Sequence, residues 1–136
     1  MSYEISNRIN VSIKKTYYTF ERFSIDATFA LLYHEEPLTV IDLSKYVRIS
    51  DQLIPVDEHH YFIIFAFTSQ ENAYKAAQNI IQKLDNHFNN HTTCIAVDAF
   101  DKSKRPENVL NRLKQIMIET RKSSYLRVET DDILDR

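Results

Sequence analysis

No glycine occurs among the 136 residues of this chain. Average usage is roughly 7%, so the absence removes whole classes of site. A Walker-type phosphate loop and a dinucleotide fingerprint both need glycine where the backbone approaches phosphate. A Gly-x-Ser-x-Gly nucleophile elbow is excluded on the same ground. Tight turns must be made by Asn, Asp, Ser, His or Pro.

Other absences narrow the reading further. Cys94 is the single cysteine, so the chain has no internal disulfide. It lies in the apolar run of residues 93–97 and reads as a buried, inert thiol. There is no basic excess: 17 Lys and Arg stand against 19 Asp and Glu, which argues against a nucleic-acid partner. The longest apolar run, residues 61–67, is too short to cross a bilayer. The N-terminus carries no apolar signal-peptide segment. The expected compartment is the cytoplasm, without membrane contact.

What is present suits one folded domain over residues 1–130, followed by a charged, solvated tail over 131–136. Hydrophobic residues make up 43% of the chain, with eight Tyr and eight Phe to fill a core. Ile5, Ile9, Ile13, Tyr17 and Phe20 predict an amphipathic first helix. Residues 28–33 read as a buried strand and residues 39–47 as a short helix. Residues 53–56 and 61–67 read as paired strands, with Pro55 marking an edge.

Thr68-Ser69-Gln70-Glu71 fits a capping box with Thr68 as N-cap. It opens a helix whose apolar face is Ala73, Ala77, Ile80, Ile81, Leu84 and Phe88. Asn89 and Asn90 stand where glycine usually ends a helix. A strand over 92–100, a helix after Pro106 and a strand over 125–128 complete the chain. The fold class is α+β: a mostly antiparallel sheet of about five strands with helices packed on it.

Arg48-Ile49-Ser50-Asp51 is followed by residues 52–56 and then by Asp57-Glu58-His59-His60-Tyr61. In order and spacing this resembles the GGDEF domain of diguanylate cyclases. There an Arg-x-x-Asp motif precedes a Gly-Gly-Asp/Glu-Glu-Phe hairpin at that distance. Asn7-Arg8, the first strand, the Ser-Gln-Glu-Asn-Ala stretch, Cys94-Ile95-Ala96-Val97 and Tyr125-Leu126-Arg127-Val128 are similar to the family's segments at those places. The resemblance spans residues 7–128. It implies a nucleotide-cyclase-like sheet with a ferredoxin-like core.

The departures bear on activity. Asp57 and Glu58 replace the two glycines that leave room for the nucleotide, and His59 and His60 replace the acidic pair. The family's metal-binding aspartates fall near His34 and Glu36. The segment that reads guanine has no equivalent between Glu36 and Arg48. The family's phosphate-contacting lysine falls near Arg121, beside Lys122. Phosphoryl transfer needs positioned phosphates and neutralising metal ions. The expectation is therefore no diguanylate cyclase activity, no catalytic residue and no cofactor.

Two readings of Arg48 and Asp51 are open. The resemblance implies an inhibitory-type site for cyclic di-GMP, with Arg as a fork for phosphate or guanine. The alternative is an i,i+3 surface ion pair. The cluster of His34, Glu35, Glu36, Asp57, Glu58, His59 and His60 also has two readings: a solvated turn, or a transition-metal site built from His34, Glu36 and His59. Adjacent His59 and His60 would point to opposite faces of a strand. The pairs Lys102-Lys104-Arg105 and Arg121-Lys122 read as solvated charge.

The function expected is a non-catalytic, GGDEF-like regulatory module of bacterial signalling. It would sense cyclic di-GMP, bind a protein partner or form a homodimer. A divergent metal-dependent nucleotide cyclase or nucleotidyl transferase, and a pure interaction domain, are the alternatives.

Overall fold

The computed structural model describes residues 3–135. Met1, Ser2 and Arg136, at the ends of the expected domain and tail, lie outside the described residues. The elements are α1 (Tyr3–Phe23), β1 (Ala27–Tyr33), α2 (Val40–Ser44), β2 (Gln52–Pro55), β3 (His60–Ala66), α3 (Gln70–Phe88), β4 (Cys94–Ala99), α4 (Val109–Ser123) and β5 (Val128–Glu129). A 3₁₀ turn, Pro106–Asn108, leads into α4, and another, Asp131–Asp135, closes the chain.

One sheet runs in the order β2-β3-β1-β4-β5. All neighbours are antiparallel except β4 and β5. Side chains alternate across the pleat, so each central strand feeds two cores. Phe29, Leu31, Phe62 and Ile64 face Ile9 and Ile13 of α1 and Leu113 and Ile116 of α4. Ala30, Leu32, Ile63 and Phe65 face Ala73, Ala77, Ile80 and Leu84 of α3 and Leu43 of α2. Pro55 sits in the edge strand β2, where a missing N–H breaks no inner ladder. Cys94 is buried, and burial pushes its thiol up, away from thiolate chemistry.

Without glycine, four other residues take left-handed backbone among the described residues: Ser24, Phe67, Asn89 and Arg127. Asn89 caps α3 as its sequence position implied, its N–H bonding the Asp85 carbonyl at 2.8 Å.

Four expectations are corrected. The N-cap of α3 is Ser69, whose Oγ accepts from Asn72 N, because the Thr68 hydroxyl is turned to Ala66 O and Arg48. The last strand is only Val128–Glu129, since Tyr125 and Leu126 are exposed and Arg127 turns the chain. The tail is not simply solvated: Ile133 joins the core under α4, and Asp131 pairs with Lys104. Lys104 is likewise drawn inward, to Asp98 at 3.2 Å.

Candidate functional site

The hairpin between β2 and β3 carries Asp57, Glu58, His59 and His60 at its tip, as the sequence predicts. The Asp57 carboxylate folds back on the turn. Its Oδ1 accepts from His59 N at 2.8 Å and meets His60 Nδ1 at 2.9 Å. Partial burial pushes the Asp57 carboxyl up, but the bonds from His59 and His60 outweigh it and hold the group below the usual range. Glu58 projects into solvent, its carboxylate 4.0 Å from His59 Nε2.

The two histidines diverge. The His59 Nδ1 lies 3.2 Å from the His34 carbonyl, while the His60 ring packs 5.3 Å from the Tyr33 ring on the α4 side. His34 is fully buried, its Nδ1 2.7 Å from Thr93 Oγ1 and its ring 4.8 Å from Phe88. Its Nε2 is buried without a partner. Burial lowers its pKa from the ordinary value and so favours the neutral ring. Glu35 and Glu36 are exposed.

A divalent cation, which the family resemblance implies, does not fit these donors. The candidates His34, Glu36 and His59 do not converge. The His34 ring is locked in packing and the Asp57 oxygens are used by the turn. No group of three such ligands is assembled among the described residues.

Tyr61 stands in the place of the signature phenylalanine, and its extra hydroxyl changes the site. It donates to Leu38 O at 2.5 Å and accepts from Leu38 N at 2.8 Å. The short link from β1 to α2 is thereby tied down over β3, where the resemblance would place a guanine-reading segment. The Tyr-for-Phe difference was the only sequence signal for this clamp.

Arg48 and Asp51 are more than a surface pair. The Asp51 side chain is 1% exposed and that of Arg48 55% exposed. Asp51 accepts from Arg48 N at 3.0 Å, from Arg48 Nη2 at 3.0 Å and from Ala66 N at 3.1 Å. Arg48 Nη2 also reaches Ala66 O and Thr68 Oγ1. The guanidinium thus joins the α2–β2 link to the end of β3. Beside it opens a cleft of about 340 Å³ lined by Tyr46, Phe65, Phe67 and Asn72.

A larger groove, about 590 Å³, runs between the hairpin and α4. Sequence reasoning treated its Arg121 and Lys122 as solvated charge. Both are exposed, and the Arg121 guanidinium sits over the Tyr33 ring, 3.8 Å from its centroid. Among the described residues no helix is long and apolar enough to cross a membrane.

No family model matches the sequence, and no curated protein does. Solved structures do resemble the fold. The GGDEF domain of DgcB from Caulobacter crescentus, in complex with cyclic di-GMP, superposes with a TM-score of 0.73 at 9% identity, over 89% of this chain and 86% of that one. The active GGEEF domain of a Vibrio cholerae diguanylate cyclase gives 0.72 at 16% identity, over 91% and 94%. The FimX GGDEF domain from Pseudomonas aeruginosa gives 0.58 at 17%, over 81% of each. At such low identity the likeness establishes the fold alone: the chain has the architecture of a GGDEF domain.

Proposed function

We propose that this chain is a non-catalytic regulatory module built on the GGDEF-domain fold. The observation that carries this reading is the closed hairpin tip. The Asp57 carboxylate occupies its own turn, where the resemblance calls for glycine and open space for a polyphosphate. The Tyr61–Leu38 clamp supports it from the nucleobase side. Incubation with GTP and magnesium or manganese tests the reading. No cyclic di-GMP should form. Product that disappears on Glu36→Ala or Glu58→Ala would identify a divergent metal-dependent cyclase instead.

A second reading, cyclic di-GMP sensing at Arg48 and Asp51, draws on two observations. Arg48 remains half exposed beside the 340 Å³ cleft, and that cleft offers aromatic rings for a base. The DgcB structures of this fold contain cyclic di-GMP. Against it, Arg48 Nη2 already serves three acceptors. Calorimetric titration of cyclic di-GMP separates the cases. Micromolar binding lost in Arg48→Ala supports a receptor, and no heat at high concentration leaves Arg48 and Asp51 as a structural lock.

A further inference from the structure

One face of α4 carries Lys114, Met117, Ile118, Arg121 and Lys122 into the groove of about 590 Å³. Their spacing is i, i+3, i+4, i+7 and i+8, so they form one stripe along the helix. The stripe is about 12 Å long, at 1.5 Å per residue. Its ends are cationic and its middle is apolar. Leu31 and Val56 continue the apolar floor, and Asp57 and His60 close the far wall.

The three cations have no ion-pair partner among the described residues. Asp57, the one carboxylate on the lining, is already engaged by His59 and His60. Ile118 leaves 62% of its surface exposed within this basic frame. Unpaired positive charge around exposed apolar surface complements an occupant that is acidic and apolar.

We infer that this groove docks an acidic amphipathic helix of a protein partner. Carboxylates of the partner would face Lys114 at one end and Arg121 and Lys122 at the other, with apolar side chains seated on the exposed Ile118. A nucleotide fits less well. A polyphosphate needs cations gathered at one point, with backbone N–H groups beside them, and here the charge is split between the two ends of the stripe. The inference names a partner for the regulatory reading and rests on it. The cyclase assay and the binding assay fail independently, so either reading can fall alone.

The test is fluorescence anisotropy with the full chain and a labelled helical peptide. The peptide carries Glu at i, Leu at i+3 and i+4, and Glu at i+7 and i+8. Micromolar binding is expected, weakened about tenfold or more by Ile118→Asp and by the double change Lys114→Glu with Lys122→Glu. The same peptide with Lys for Glu should not bind. All three changed residues are exposed, and circular dichroism checks that each variant folds. The double lysine variant decides the matter if Ile118→Asp misfolds. Absence of binding, binding indifferent to the variants, or displacement of the peptide by GTP or cyclic di-GMP would overturn the inference.

Discussion

Asp51 holds Arg48 by both its backbone and its side chain, with Arg48 N and Nη2 each 3.0 Å from a different carboxylate oxygen. The same carboxylate accepts from Ala66 N, so it anchors β3 as well as its neighbour in sequence. Removing it leaves two backbone donors and a guanidinium without their acceptor. Asp51→Ala should therefore cost about 1–3 kcal/mol, the penalty for several hydrogen bonds lost at partly buried and exposed donors. Arg48→Ala removes a half-exposed side chain and should cost less, about 1 kcal/mol. Urea denaturation of both variants checks the order. Equal losses would mean that the pair, and not the Asp51 cap, is what matters.

The missing glycines should be measurable one position at a time. Ser24 ends α1 at φ 54°, with Ile25 N bonding back to Phe20 O at 3.1 Å. A Cβ is unfavourable in that left-handed region. Ser24→Gly should raise stability by about 0.5–1 kcal/mol, the residual after glycine's extra unfolded-state entropy. Asn89→Gly should gain less, because Asn tolerates the left-handed cap better than Ser. Thermal melts of the two variants give the comparison. A fall in the midpoint for Ser24→Gly would show that the serine side chain has a role beyond its backbone.

What the sequence shows and what it hides divide along the same physical line. Period and local chemistry were readable: the α3 stripe, the Asn89 cap, Pro55 at an edge and the hairpin at Asp57–His60. Choices made by distant partners were not. Thr68 and Ser69 are both good caps, and the Thr68 hydroxyl is instead engaged by Ala66 O and the remote Arg48. Ile133 sits among acidic residues and looks solvated until the α4 core receives it. Arg121 and Lys122 were visible only as charge on a helix, and their groove exists only because the hairpin stands opposite. The Arg127–Asp85 fork, which ties the approach to β5 onto α3, joins residues too far apart in the chain to suggest one another.

His34 makes the stability of the fold depend on pH in a defined window. Burial lowers its pKa from the ordinary 6.5, against smaller opposing effects from Glu36, Asp85 and Glu35. Between the two values the unfolded chain binds a proton that the folded chain refuses. Stability is then flat above about pH 7 and falls as pH drops below 6.5, by at most about 1.4 kcal/mol per unit. Asp57 and Asp85, whose folded values are lowered from 3.8, add their own losses only in more acid solution. His34→Gln should flatten the slope between pH 6.5 and 5 in urea unfolding. An unchanged slope would place the effect on another histidine.

Asp98 is fully buried on β4 and forms ion pairs with both Lys104 and Arg112. Arg112 Nε lies 3.0 Å from it and Lys104 Nζ 3.2 Å, while Lys104 also extends to Asp131 at 3.1 Å. The network fastens the end of β4 to α4 and, through Lys104, to the closing 3₁₀ turn. Breaking a buried pair by removing one partner leaves an uncompensated charge, at about 3–5 kcal/mol. Asp98→Asn should fall near the lower end, since the amide oxygen keeps one acceptor. Asp131→Asn acts on the outer, one-third-exposed partner and should cost less than about 1 kcal/mol. If Lys104 is the hinge between them, Lys104→Met should make the Asp131 change silent while leaving most of the Asp98 effect, because Arg112 still holds Asp98. A double-mutant cycle by urea unfolding reads that coupling directly. Full additivity of Lys104→Met and Asp131→Asn would show that the closing turn is held by the packing of Ile133 and Leu134 and not through Lys104.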